Sequence, residues 1–341
     1  MKRSNFGVDC YRSLVEAPRA VVVVSLILSL LVVSFATEAQ QPEKPYRIGF
    51  LSVAVGPTTR TQSFLDGLRD LGYVEGKDFV MEYRRAAGQL ERLPELAADL
   101  VRIKVDVIVA AGTLAALPAK RATGTIPIVF AGAAYPVERG IVTSLGRPGA
   151  NVTGVALHVS VAKYLQLLKE MAPRISRVAY FYSLPAADEY TSTYLAGLEA
   201  DGRAFDLKLD PVHVREPADV ERAFSEFTRN GTNGLLVDNP SVLLRVRERV
   251  CGLALKQRLP VVGRGREFAD AGCLTSYGEN LNEVYRRAAT YVDRILKGMK
   301  PADFPVEQPT KFEFVINMKT ARALGLTISP SLLLRADQLV E

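Results

Sequence analysis

Polar and charged residues follow most of the predicted strands, at positions where an α/β protein can bind a small molecule. In open parallel sheets, ligands lie beyond the carboxyl ends of the strands. Helix N-termini at that edge offer backbone N–H groups and partial positive charge, which suit a carboxylate. The residues that these positions select are Ser52, Gly112, Thr113, Tyr135, Ser183, Asp238, Asn239, Arg264, Arg266 and Tyr277.

Each of these residues also has an ordinary structural role open to it. Thr113 is a typical helix N-cap, and Asn239 precedes a proline that can begin a helix. Tyr135 and Tyr277 can pack in the interior with their hydroxyls at the rim. The two arginines can form ion pairs with neighbouring acidic residues. Considered together, their placement at strand ends favours a ligand-binding cleft.

The motifs of common enzyme classes are absent from the sequence. The two histidines, His158 and His213, lie far apart in unrelated predicted elements, which excludes a histidine metal cluster. No phosphate-binding Gly-Lys-Ser/Thr loop and no Gly-x-Ser-x-Gly elbow occurs. We therefore predict no catalytic residue, no metal and no cofactor.

Composition predicts one large or two medium globular domains. The chain has 341 residues, of which 48% are hydrophobic, and a net charge of +6. Basic residues such as Arg245, Arg247 and Arg249 are mixed with Glu248, a pattern typical of a solvated helix face. Because no basic cluster is interleaved with aromatic residues, nucleic acid is not an expected partner.

The first 39 residues have the pattern of an export signal. Four basic residues precede an apolar stretch from Ala20 to Phe35, and small residues follow up to Ala39. Cleavage near Ala39 is the expectation, and an uncleaved membrane anchor is the alternative. In either case the remainder of the chain lies outside the cytoplasm.

Two cysteines follow the leader, Cys251 and Cys273. In an oxidising compartment they can form one disulfide. Cys251, however, falls within a predicted helix, and buried free thiols are common. The sequence therefore leaves the disulfide open, with two free thiols as the favoured interpretation.

Short apolar runs alternate with amphipathic stretches along the chain, which predicts parallel sheets covered by helices on both faces. The pattern restarts after the turn-rich segment 146–151. The predicted strands are 47–53, 79–83, 105–111, 126–130, 178–182, 207–214, 234–237, 259–262 and 312–316. The predicted helices are 59–71, 90–103, 115–121, 163–171, 190–200, 220–228, 242–257, 280–296 and 319–324.

The two halves of this pattern resemble each other, which predicts two doubly wound lobes joined by a multi-strand hinge. The first lobe is expected at 46–154 plus 280–300, and the second at 155–279 plus 305–341. Between them, Pro301, Pro305 and Pro309 form a stiff connection.

Several strings resemble one known family, the ABC-transporter substrate-binding proteins with a type I periplasmic-binding fold. The group is often linked to the uptake of tryptophan or other aromatic amino acids. The resemblance covers nearly all of the chain after the leader. The strings are Gly67–Gly76, Val105–Thr113, Arg147–Gly154, Arg266–Phe268, Ser276–Gly278, Tyr285–Ala289 and Gln308–Glu313.

The resemblance implies a monomeric periplasmic protein that binds a small solute and docks onto an ABC permease in the inner membrane. Many relatives carry Gly-Asp-Pro where this chain has Ala134-Tyr135-Pro136. An aspartate there could hold an ammonium group, and Tyr135 supplies no such charge. We therefore expect a carboxylate-bearing solute with an aromatic or apolar body. A ligand-sensing subunit of a membrane receptor and a secreted enzyme on the same scaffold are the alternatives.

Overall fold

The structure is a computed structural model that describes residues 44–157, 160–183, 189–238 and 241–341. The predicted leader, His158 and Asn239 lie outside the described residues. The strands are β1 (Tyr46–Ser52), β2 (Phe79–Arg85), β3 (Val107–Ala111), β4 (Ile128–Ala134), β5 (Val152–Leu157), β6 (Arg177–Tyr182), β7 (Lys208–His213), β8 (Gly234–Val237), β9 (Val261–Arg264), β10 (Thr275–Glu279), β11 (Phe312–Asn317) and β12 (Gln338–Val340).

The helices alternate with these strands. Short 3₁₀ turns at Leu90–Arg92 and Pro301–Asp303 complete the description. The helices are α1 (Thr59–Asp70), α2 (Leu93–Arg102), α3 (Thr113–Ala122), α4 (Val161–Met171), α5 (Glu189–Ala204), α6 (Pro217–Asn230), α7 (Ser241–Arg245), α8 (Arg247–Lys256), α9 (Arg266–Asp270), α10 (Leu281–Leu296), α11 (Met318–Leu324) and α12 (Pro330–Arg335).

The first lobe is built on a five-stranded parallel sheet with the order β2-β1-β3-β4-β5. Neighbouring residues of each strand point to opposite faces, so Phe50 and Leu51 enter two different cores. Phe50 packs with α1 and α10, whereas Leu51 packs with α2 and α3. The prediction of a parallel sheet covered on both faces is confirmed.

Helix α10 reaches this lobe from late in the sequence and packs closely on α1. A Cβ atom on Gly67 would lie 2.8 Å from the backbone oxygen of Arg286 and 2.9 Å from the Cβ of Ala289. Glycine is therefore the residue that allows the two helix backbones to approach. The Tyr73 hydroxyl donates to Asp293 of α10 at 2.9 Å and adds a polar contact.

The second lobe is built on a seven-stranded sheet with the order β12-β11-β10-β9-β8-β6-β7. Neighbouring strands pair in parallel except for β10 and β11, so β11 and β12 run opposite to the other five strands. Helices α6 to α9 contribute to the core on one face, and α4, α5, α11 and α12 contribute to the cores on the other. The chain passes between the sheets after β5, after β10 and again before β11.

A disulfide joins Cys251 of α8 to Cys273, just before β10, with a Cα–Cα distance of 4.7 Å. The favoured interpretation of two free thiols was wrong. That interpretation treated a position within a helix as unsuitable for a disulfide. In the structure, the side chain of Cys251 points into the core beside the turn that carries Cys273. The bridge encloses β9 and α9.

Some predicted elements differ from the structure. The helix predicted at 242–257 is two helices that meet at Val246, and the one at 90–103 begins with a 3₁₀ turn before Leu93. Strand β5 was not predicted; it begins directly after the turn-rich segment 146–151 and continues through the expected boundary at 154. In the described residues, none of the helices is long and apolar enough to cross a membrane.

Candidate functional site

A cavity of about 190 Å³ lies between the two sheets, at the carboxyl ends of their strands. It is bordered by the residues after β1, β3 and β4 in the first lobe and after β6 and β8 in the second. Six of the residues selected from the sequence line it together: Ser52, Gly112, Thr113, Ser183, Asp238 and Arg264.

The first-lobe wall presents hydrogen-bond donors. Ser52 ends β1 with its side chain buried, and its Oγ has no hydrogen-bond partner among the described residues. Gly112, with φ +80°, makes the sharp turn from β3 into α3, and the first residues of that helix line the cavity. The Thr113 hydroxyl accepts from the Ala134 N–H at 2.9 Å, which leaves its own proton to donate.

Two charged residues of the second-lobe wall, Asp238 and Arg264, form a largely buried group with Glu279, which does not line the cavity. Arg264 ends β9, and its Nη1 lies 3.2 Å from Asp238 Oδ1, while its Nη2 lies 3.6 Å from Glu279 Oε2. Burial alone would lower the pKa of Arg264, but Tyr164, Asp238 and Glu279 outweigh it and raise that pKa above its ordinary value. Because two carboxylates face one guanidinium, the group carries a net negative charge.

Arg60 adds a positive charge from the first lobe. The Thr58 side chain caps α1 by accepting from the Thr61 N–H at 3.1 Å, which places Arg60 in the first turn of the helix. Arg60 lines the cavity, and its Nη2 lies 3.7 Å from Glu267 Oε1 of α9 in the other lobe. The remaining wall is mostly apolar. Phe50, Leu157, Leu281 and Tyr285 contribute to it.

Three of the selected residues lie outside the cavity wall. Arg266 Nε donates to Asp270 Oδ2 at 3.1 Å within α9. Tyr277 stacks on Phe312 with ring centroids 5.5 Å apart. The Tyr135 ring packs against that of Tyr194 of the second lobe, with centroids 5.6 Å apart. Their role as ligand contacts stays a prediction.

The sequence reasoning missed several residues that line the cavity and one, Glu279, that contacts a lining residue. Arg60 follows the Thr58 cap directly after the first predicted strand, so the rule used for Thr113 could have found it. Glu279 ends a strand that was not predicted, although it adjoins the Ser276–Gly278 string. Leu281 and Tyr285 lie on a helix that was expected only to pack. Across the described residues, no group of three or more His, Cys, Asp or Glu side chains could hold a metal ion.

The chain can now be compared with known proteins. Residues 56–340 match the model of a family described as ABC transporter substrate binding protein. The chain belongs to this family. Substrate-binding proteins of this kind bind small-molecule solutes outside the cytoplasm and work with ABC permeases; the family is solute-binding rather than enzymatic.

Individual relatives of this substrate-binding protein have named ligands. The chain is 24% identical over 265 residues to a tyrosine-binding protein of Clostridioides difficile, covering 78% of this chain and 76% of that protein. Among crystal structures, a conserved domain protein of Vibrio cholerae is similar with 27% identity and a TM-score of 0.80, covering 87% of this chain and 100% of that one. An ABC domain of Streptococcus pneumonia in complex with L-Trp is similar with 23% identity and a TM-score of 0.79 at the same coverage.

These similarities agree with the architecture. The structural neighbours include type I periplasmic-binding proteins, and the two parallel-sheet lobes of this chain have that fold. The resemblance drawn from the sequence strings is therefore confirmed at the level of family and fold.

Proposed function

We propose that this protein is the solute-binding component of an ABC importer and captures a small carboxylate-bearing solute with an aromatic or apolar body in the inter-lobe cavity. The observation that carries the proposal is the buried Ser52 Oγ, which has no hydrogen-bond partner among the described residues and lines the cavity beside the start of α3. Buried hydroxyls are nearly always hydrogen-bonded, so a ligand oxygen is the natural partner.

The first-lobe wall suits a carboxylate. Its donors are the Ser52 and Thr113 hydroxyls, the first N–H groups of α3 and the Arg60 guanidinium. Hydrogen bonds to a carboxylate are stronger than those between neutral groups, and a helix N-terminus adds partial positive charge. A carboxylate bound there would lie on the positive side of the cavity.

The cavity volume limits the body of the solute. An engineered apolar cavity of about 150 Å³ holds benzene. The cavity of about 190 Å³ is therefore large enough for one aromatic ring with a short polar tail. Phe50, Leu281 and Tyr285 supply the apolar and aromatic surface against which such a ring packs.

The opposite wall suits a cationic group. Asp238 lines the cavity, and the Asp238–Arg264–Glu279 group carries a net negative charge. The sequence raised doubt about an amine because Tyr135 supplies no charge, but Asp238 offers the negative charge from the other lobe. An amino acid with one aromatic ring satisfies both walls, and the relatives with named ligands bind tyrosine and L-Trp. L-Tyrosine and L-phenylalanine are therefore the first solutes to test.

The cellular setting is part of the same proposal. The leader would be cleaved near Ala39, and the mature protein would act as a periplasmic monomer that docks onto an inner-membrane permease. Nucleic acid has no role in it.

Isothermal titration calorimetry with a ligand panel tests the proposed function. The panel contains L-tyrosine, L-phenylalanine, L-tryptophan, 3-phenylpropionate, L-leucine and D-glucose. We expect the aromatic carboxylates to bind and glucose to give no heat. Ser52→Ala should weaken binding about threefold to tenfold, the effect of one hydrogen bond.

Ser276→Ala is the matched control for this experiment. Ser276 Oγ is also buried without a hydrogen-bond partner among the described residues, but it lies in β10 away from the cavity wall. Its variant should bind like the wild type. Glucose binding without carboxylate binding, or equal affinities for Ser52→Ala and Ser276→Ala, would refute the proposal.

A further inference from the structure

Tyr135 has an unusual backbone conformation directly after β4. Its φ of +51° lies in the left-handed region, which side chains other than glycine, asparagine and aspartate seldom adopt. The following residue is Pro136, and a proline favours extended backbone at the residue before it. The local sequence therefore opposes this conformation, and tertiary contacts must hold it.

The Tyr135 carbonyl accepts from the Arg139 N–H of its own lobe at 3.0 Å, whereas the contacts of its ring come from the other lobe. Its ring lies 5.6 Å from that of Tyr194 on α5, measured between centroids, with the planes tilted by 58°. The Tyr194 hydroxyl in turn lies 2.9 Å from that of Tyr180 on β6. A row of three tyrosines thus runs from a loop of the first lobe into the core of the second.

The same loop is attached to the candidate carboxylate site. Ala134, the residue before Tyr135, donates its N–H to the Thr113 hydroxyl at the start of α3. Movement of the Tyr135 backbone therefore disturbs a group that faces the cavity. The ring itself does not line the cavity.

A second contact crosses the cleft between Arg60 and Glu267, at 3.7 Å. The Glu267 side chain is 40% exposed, so solvent and salt screen this pair, and exposed pairs contribute little. The partly buried Tyr135 ring makes the stronger of these two contacts, because aromatic pairs add to the gain from burying their surface.

We propose that Tyr135 is a latch that stabilises the closed arrangement of the two lobes. Its contacts with Tyr194 exist only when the lobes approach, so they shift the population toward the closed state. Ligand affinity then rises with the closed fraction, although Tyr135 need not touch the ligand. The inference rests on the proposed inter-lobe site but not on the identity of its solute.

Small-angle X-ray scattering of ligand-free protein tests the latch without a ligand. Co-purified solute is removed by unfolding in guanidinium and refolding with the disulfide intact. Tyr135→Asn keeps a residue that tolerates positive φ and removes the ring. In this variant the ratio of closed to open molecules should fall about threefold to tenfold. Because open molecules are more extended, the radius of gyration should be larger than in the wild type. Tyr194→Leu should give the same change from the opposite lobe.

Three control variants keep the test specific. Lys104→Asn makes the equivalent change at another left-handed position, exposed on the first lobe, and should leave the radius unchanged. Tyr135→Phe keeps the ring, so its radius of gyration should increase less than that of Tyr135→Asn. The radius of Glu267→Gln should hardly change. Thermal melts confirm that each variant is folded, and Tyr194→Leu carries the test if Tyr135→Asn does not fold.

The latch is overturned if the folded Tyr135→Asn and Tyr194→Leu variants both scatter like the wild type. It is equally overturned if Lys104→Asn expands the protein as much. Failure of the whole ligand panel to bind would contradict the proposed solute class but would leave the scattering result intact, so the two failures are distinguishable.

Discussion

The Thr113 hydroxyl accepts a hydrogen bond from the backbone N–H of Ala134 at 2.9 Å. This bond joins the start of α3, which follows β3, to the end of β4. It lies at the edge of the first sheet where β3 and β4 end. It also fixes the direction in which the hydroxyl proton can point. One side chain thereby orders the loop behind it and presents a donor to the cavity.

Thr113→Val should weaken binding of an aromatic carboxylate more than Thr113→Ser does. Valine keeps the shape of threonine but loses the donor and leaves the Ala134 N–H without its partner, whereas serine keeps both functions. We expect a loss of about tenfold for valine, since an unsatisfied, partly buried donor adds to the lost bond, and less than threefold for serine. Titration calorimetry with L-phenylalanine measures both, and equal affinities would contradict the assigned role.

Glu279 should influence the choice between solutes with and without an amine, although it does not line the cavity. Glu279→Gln removes one of the two carboxylates around Arg264, so the wall loses its net negative charge. The wild type should prefer L-phenylalanine to 3-phenylpropionate, and the variant should lose about tenfold of that preference. These ligands differ only in the amine. A wild type that binds the two equally would show that the wall does not recognise an amine.

The Cys251–Cys273 disulfide should contribute substantially to stability. It closes a loop across a sequence separation of 22 residues, for which the chain-entropy model gives about 3 kcal/mol. For the roughly 300 residues after the leader, that corresponds to a fall in Tm of about 5 °C. The double variant Cys251→Ala with Cys273→Ala is compared with the wild type by calorimetry under non-reducing conditions. An unchanged Tm would show that removing the bridge does not stabilise the unfolded chain through added conformational entropy.

The Arg287–Glu307 pair should make stability depend on pH in the acid range. Two bonds of 2.6 Å join the guanidinium to both carboxylate oxygens, and the side-chain hydrogen bond to Arg287 holds the pKa of Glu307 below its ordinary value. A carboxylate with a lowered folded-state pKa stabilises the protein above its unfolded pKa, and that contribution is lost as pH falls through the folded value.

The measurement is urea unfolding of the wild type and Glu307→Gln at several pH values between 7 and 3. The wild type should be more stable near neutral pH, and the difference should shrink as Glu307 becomes protonated in acid. A difference in unfolding free energy between the two proteins that stays constant over this pH range would show that protonation of Glu307 does not affect stability.

The sequence was sufficient for the parts of the fold that depend on local pattern. Apolar runs such as Val107–Ala111 and amphipathic helices such as α10 follow from residue periodicity alone, and they predicted two parallel-sheet lobes. Strand-end positions then located Ser52, Thr113 and Asp238 in one cavity. That success has a physical reason, because parallel strands bring their carboxyl ends to a common edge.

What the sequence could not provide were relationships between distant segments. Glu279 became relevant only because β10 and β9 are adjacent, which places it beside Arg264. The disulfide depended on the approach of α8 to the turn before β10, and the direction of the Tyr135 ring depended on a positive φ that its neighbour Pro136 disfavours. Each of these features is set by tertiary packing.

The close fit of α10 on α1, made possible by Gly67, governs when the first lobe can become complete during synthesis. Residues 281–296 cover one face of a sheet whose strands end at residue 157. Until this late segment leaves the ribosome, Phe64 and Leu68 lack much of their packing surface. A nascent chain therefore holds an unfinished first lobe for most of its translation.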